Sequence, residues 1–170
     1  CNEAIRINPN YRDAKFLKAT LLLNRQEFEL GWSLYTSARN LIAERTIEPV
    51  KRAARWTGTS LHGKNIQVYA AQGVGDEILF SSCIPDLIRK KPNAIYLECD
   101  PRLQMLFDRS FPEVITYGKA RTQLLSDIFN ETGTLELNAH IDYSIPIDGL
   151  AEFFRNRIED FPKRSSFLKP

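Results

Sequence analysis

The residues whose types and spacing could do chemistry are Gln72-Gly73-Val74-Gly75-Asp76. An uncharged run, Ile66–Ala71, leads into them, and apolar residues at helical spacing follow. A strand, a glycine turn and a helix start bring backbone N–H groups and the positive end of a helix dipole to one point. Glycines permit backbone conformations that other residues resist, and they let a ligand approach the main chain closely. Asp76 has two readings. As an N-cap it satisfies the first N–H groups of its helix, worth about 1 kcal/mol. As a carboxylate at a site mouth it is a general base for a hydroxyl. Spacing alone leans to the cap, and the two roles are compatible. The turn is not a dinucleotide fingerprint, because Ile78 stands where the third glycine belongs. It is not a phosphate-binding P-loop, because no Gly-Lys-Ser/Thr follows. Glu77 reads as a first-turn acid favoured by the dipole. Glu98 and Asp100 could line the same cleft, with solvated surface acids as the default. No Ser/His/Asp or Cys/His constellation stands out, and Cys83 reads as core.

The elements that must position this turn are strand–helix units. Ile66–Ala71 reads as a central parallel strand covered on both faces. A helix from Asp76 to about Lys90 carries Ile78, Leu79, Cys83, Ile84, Leu87 and Ile88 on one side, and Pro85 should kink it. Ala94–Cys99 is a second strand. Asp100-Pro101 then starts a helix over Leu103–Ser110, with a capping acid ahead of proline. Val114–Tyr117 is a third strand, and Ile141–Ile147 a fourth, ended by Asp148-Gly149. Leu124–Phe129 suggests a helix and Glu131–Thr134 a turn. Leu150–Ile158 reads as a last helix with Phe153 and Phe154 inward. Strand–helix–strand units imply a parallel sheet whose ligands bind beyond the carboxyl ends of the strands.

Upstream, Asn10 can cap a helix running to Asn24, with Ala14, Leu17, Leu21 and Leu22 as its stripe. A second helix from about Glu27 to Ala43 presents Phe28, Trp32, Tyr35 and Ala38, with Gly31 as a small contact point. The two make an antiparallel hairpin. Ile47–Arg55 is a charged connector, and Trp56 is expected to plug the seam between modules rather than stack on a ligand. The domains are therefore a helical repeat over 1–45, a connector over 46–64 and an α/β domain over 65–170.

Composition bounds the function. The chain has 170 residues and a net charge of +2, so no basic field argues for nucleic acid. Three cysteines, an odd number without CxxC spacing, disfavour a disulfide framework or a structural zinc site and suit reduced cytoplasmic thiols. Two histidines far apart make a His-based metal centre unexpected. No apolar run reaches the ~20 residues of a membrane span. The start at Cys1 and the end at Phe167–Pro170 read as those of a fragment.

Two resemblances follow. Ala19, Leu22, Gly31, Tyr35 and Ala38 fall where a tetratricopeptide repeat of about 34 residues keeps its small and aromatic packing positions. Ala43 stands where the usual closing proline would be. Glu29–Tyr35, Arg55–Gly58, Leu61–Lys64 and Gln72–Asp76 with Phe80 and Pro85 together resemble bacterial tetratricopeptide-repeat glycosyltransferases with a heptosyltransferase-like region. Ile95–Pro101, Phe111–Ile115 and Asp142–Leu150 extend the likeness. It implies a Rossmann-like, acceptor-side half of a GT-B fold. Asp76 would then activate an acceptor hydroxyl, and Gln72, Gly73, Val74 and Gly75 would contact substrate. The implied reaction moves a sugar from a nucleotide-sugar, a co-substrate bound mainly by a second domain, to a sugar, protein or glycan acceptor, with no metal and no other cofactor. A repeat array also implies a protein partner. Ala71, Ser82 and Cys83 depart from the family pattern. The competing expectation is a non-catalytic scaffold, and this fragment alone is not expected to transfer sugar.

Overall fold

A computed structural model describes residues 1–43, 53–70, 73–119, 140–163 and 166–169. The expected helix at 124–129 and turn at 131–134 lie outside them. The chain divides into two compact units, one of helices (Cys1–Pro49 with Ala151–Lys163) and one around a sheet (Val50–Leu150 with Arg164–Pro170). The fold is α/β, helices followed by a parallel, Rossmann-like sheet.

In the helical unit, α1 (Asn2–Ile7) precedes α2 (Arg12–Asn24) and α3 (Phe28–Ala43). Asn10 does not cap α2; Tyr11 occupies that position and makes no side-chain cap bond. Asn8 turns the chain instead, accepting from the Asn10 N–H through Oδ1 (3.0 Å) and from the Tyr11 N–H through its carbonyl (2.9 Å). Arg25 ends α2, and Gln26 follows with φ 62°, the left-handed position that more often holds glycine after a helix. Ala14 and Ala19 are buried from α2, and Tyr35 and Ala38 from α3. Leu17 and Leu21 are about half exposed, contrary to the expected stripe. Small residues line the seam, so the helices approach closely and the leucines fall outside it. A Cβ on Gly31 would lie 2.7 Å from Leu23 Cδ2.

The same unit takes in α7 (Ala151–Phe154), much shorter than the helix expected over Leu150–Ile158. Trp32 Nε1 donates to the Arg155 carbonyl at 2.9 Å. The Phe28 and Phe161 ring centroids lie 4.8 Å apart, and the Arg155 guanidinium sits 5.9 Å from the Phe161 ring.

The second unit holds a five-stranded sheet in the order β1-β5-β2-β3-β4, with every pairing parallel. The strands are β1 (Ala54–Arg55), β2 (Asn65–Tyr69), β3 (Ala94–Cys99), β4 (Ile115–Gly118) and β5 (Tyr143–Pro146). The sequence reading did not give β1 as a strand; two residues are too few to show a period. Registers Gln67↔Tyr96, Glu98↔Tyr117 and Gln67↔Ser144 put these side chains on one face. Ile66, Val68, Ile95, Leu97 and Ile145 lie on the other, all buried. Trp56, a residue of this unit, is wholly buried and donates from Nε1 to the Thr59 carbonyl (2.8 Å), so it offers no surface for ligand stacking.

Between β2 and β3 the expected single helix is broken. It comprises α4 (Val74–Phe80), a 3₁₀ turn (Ser81–Cys83) and α5 (Ile84–Ile88), with Pro85 in the first turn of α5. Proline removes an interior donor, and the tighter turn accommodates it. Asp100 opens the next segment as expected, accepting from the Arg102 N–H (3.0 Å) before a 3₁₀ turn (Pro101–Leu103) and α6 (Gln104–Ser110).

Candidate functional site at the sheet edge

Strand order reverses between β2 and β5. From β2 the chain builds outward to β3 and β4, then returns to place β5 on the other side of β2. Such a switch point opens a crevice beyond the carboxyl ends of the strands. Here those ends are Tyr69, which leads towards Gly73, and Pro146, which leads into a 3₁₀ turn over Ile147–Leu150. The expected turn is therefore at the switch point of the sheet.

The turn differs from its sequence reading in detail. Gln72, with Ala71, lies outside the described residues. The helix begins at Val74, so Gly73 is the N-cap and Asp76 the third helical residue. Gly73 has φ −82° and Gly75 is helical, so neither uses the left-handed freedom of glycine. Gly58 (φ 87°) and Gly63 (φ 67°) do. A Cβ on Gly75 would meet open space. What Gly75 retains is an unobstructed main chain beside Asp76.

Asp76 reaches back so that its Oδ2 accepts from the Gly73 N–H at 3.1 Å, the reciprocal half of a capping box. The Asp76 and Glu77 N–H groups both donate to the Gly73 carbonyl, at 3.0 and 3.1 Å. The side chain is half-buried, and its Oδ1 has no hydrogen bond among the described residues. A carboxylate with one oxygen held and the other open is oriented for proton transfer at the crevice.

Glu77 lies in the first turn of α4, as expected, and it is also buried. It is 2% exposed, whereas Ile78 and Leu79 are at the surface, Leu79 at 62%. The buried stripe of α4 and α5 runs Glu77, Phe80, Ile84 and Leu87. Glu77 is in phase with that stripe, a signal the sequence carries but that hydrophobicity alone passes over. Its Oε2 accepts from the Asp100 N–H at 2.8 Å. Glu98 is buried too, at 4% exposed, rather than a solvated acid. Tyr117 Oη donates to Glu98 Oε2 (3.4 Å) and accepts from Gln67 Nε2 (2.7 Å), which spans β3 to reach it. Polar side chains therefore occupy a sheet face that parallel sheets usually fill with aliphatic ones. The Cys99 thiol is pushed up to about 12 by burial, helped by the charge of Glu77, so it is no nucleophile at neutral pH. Cys83 is core, as read.

Among the described residues, no three or more His, Cys, Asp or Glu side chains are grouped as a metal site, and no helix is long and apolar enough to cross a membrane. Protein FlbA of Caulobacter vibrioides is 29% identical over 175 aligned positions, which take in all of this chain and 29% of that protein. The chain thus spans less than a third of the length of the curated relative it matches. No family model matches the chain. No solved structure matches it.

Proposed function

We propose that the chain is the acceptor-side part of a bacterial glycosyltransferase, acting in the cytoplasm on a nucleotide-sugar donor. The observation that carries this reading is the position of Asp76, held by Gly73 at the mouth of the β2/β5 switch point with Oδ1 unbonded among the described residues. The carboxylate would take the proton of an acceptor hydroxyl. The oxygen would attack the anomeric carbon, and the nucleotide would leave with the electrons of its glycosidic bond. The sequence resemblance adds the donor class, and the donor would be bound by residues beyond this chain. The competing reading, a tetratricopeptide scaffold that binds protein partners without catalysis, draws on the same hydrogen bond, since capping α4 explains Asp76 with no chemistry.

Full-length protein incubated with a panel of nucleoside diphosphate sugars separates the two. Transfer is expected with at least one donor. Asp76→Asn is expected to lower kcat by roughly a hundredfold or more, with little change in donor binding. Full turnover in Asp76→Asn, accompanied only by a stability loss of about 1 kcal/mol, would assign Asp76 to capping alone.

A further inference from the structure

The carboxylates of Asp76 and Glu77 are adjacent in sequence but point to different loops. Asp76 holds the Gly73 N–H, at the end of the loop after β2. Glu77 holds the Asp100 N–H, at the end of β3. Both loops leave the same edge of the sheet, from neighbouring strands. Asp100 is itself fixed: its carboxylate accepts from the Arg102 N–H (3.0 Å) and from Arg102 Nε (2.9 Å). A charge only 2% exposed is costly to bury unless its acceptor capacity is used. At this position in the stripe Leu or Ile would pack more simply, so the acid needs a reason.

We infer that Glu77 is the positioning residue of the Asp76 turn: it ties the first turns of α4 to the end of β3 and so fixes the Asp76 carboxylate at the switch point. This rests on the proposed role of Asp76 only for its catalytic consequence. The mechanical link stands on the two hydrogen bonds. A charge-assisted bond to a backbone donor is stronger and shorter than a neutral one, and at 2.8 Å this one lies in that range. Without it, α4 loses a direct tie from its first turn to the end of β3, while Phe80 stays buried at the other end of the helix. The Gly73–Asp76 bond is then free to open with the loop.

The test is hydrogen–deuterium exchange on the full-length protein, read in peptides over 73–80 and 98–104, with a peptide inside 104–114 as reference. Glu77→Ala is expected to speed exchange in both segments together, by roughly tenfold, and to leave the reference unchanged. Glu77→Gln, whose amide oxygen still accepts from Asp100, is expected to restore most of the protection. If the alanine variant does not fold, Glu77→Asp, one methylene too short to reach Asp100, makes the same comparison. Faster exchange at 98–104 with no change at 73–80 would overturn the inference, as would a uniform rise that includes the reference. Where transfer is measurable, Glu77→Ala is expected to lower kcat and spare donor KM, and Glu77→Gln to recover kcat. Coupled exchange in a protein that turns over no donor would keep the positioning role and remove the transferase reading. Turnover without coupled exchange would do the reverse.

Discussion

At the scale of single residues, Gly75 separates a structural from a functional turn. Its Cβ position is open and its backbone is helical, so nothing in the fold requires glycine. Gly75→Ala is expected to raise stability by about 0.5 kcal/mol, because alanine loses less backbone entropy in a helix. If the open main chain serves a ligand, the same change weakens acceptor binding; thermal unfolding and acceptor titration read the two effects separately. Asp142 gives a pH prediction. The Asn65 N–H (2.9 Å to Oδ2) and the Lys64 ammonium (3.0 Å to Oδ1) hold its carboxyl below the ordinary carboxylate range. A depressed folded-state value means that its stabilisation is present above about pH 4 and is lost as pH falls through the folded value. The stability gap between wild type and Asp142→Asn is therefore expected to be full at pH 6–7 and to close below about pH 4 in thermal melts.

At the scale of elements, most of the sheet was legible because β2 is an uncharged run and β3 a mostly apolar one, both bounded by turn residues. β3 matches its expected span, and Asp100-Pro101 starts its helix where capping chemistry requires. Three features were not legible. The break at Ser81–Cys83 has no local signal beyond Pro85, and Ile78 and Leu79, assigned to the buried side, lie at the surface because the stripe runs through Glu77, Phe80, Ile84 and Leu87. The backbone and side-chain partners of Glu77 and Glu98 lie far away in sequence, so no local pattern names them, although helical spacing does put Glu77 in phase with the buried stripe. The N-cap moved from Asp76 to Gly73 because an acid three residues into a helix can serve its start as well as an acid at the cap. In the helical hairpin, Gly31 was read correctly as a contact point. Gly31→Ala should improve helix propensity by about 1 kcal/mol, yet its Cβ would lie 2.8 Å from Leu23 Cγ and 3.2 Å from the Leu23 backbone nitrogen. Overpacking of that kind costs roughly 1–3 kcal/mol, so a net loss of up to about 2 kcal/mol is expected in urea unfolding, with unchanged helix content by circular dichroism.

At the scale of the whole molecule, each unit gathers segments distant in sequence. The helical unit contains Ala151–Lys163 as well as the first helices, and the sheet unit takes up Arg164–Pro170. Lys169 shows the latter directly, its N–H donating to Ser110 Oγ at 2.9 Å. Sequence order suggested consecutive domains because turn and period signals are local, whereas the contacts that close each unit are not. The same non-locality has a consequence for how the protein is made. β2, β3 and β4 emerge in succession, and each can pair as it appears. β5 is synthesised later, yet it belongs against the other edge of β2. At ordinary elongation rates that edge waits for roughly four to fifteen seconds with its row of amides and carbonyls unpaired. A nascent chain at this stage is a template for its neighbours on a crowded polysome. Chains stalled with Gly118 clear of the ribosome are expected to associate with one another or with a holdase chaperone, and chains stalled with Lys163 clear of it are not; sedimentation of ribosome-bound intermediates with and without chaperone distinguishes the two stages.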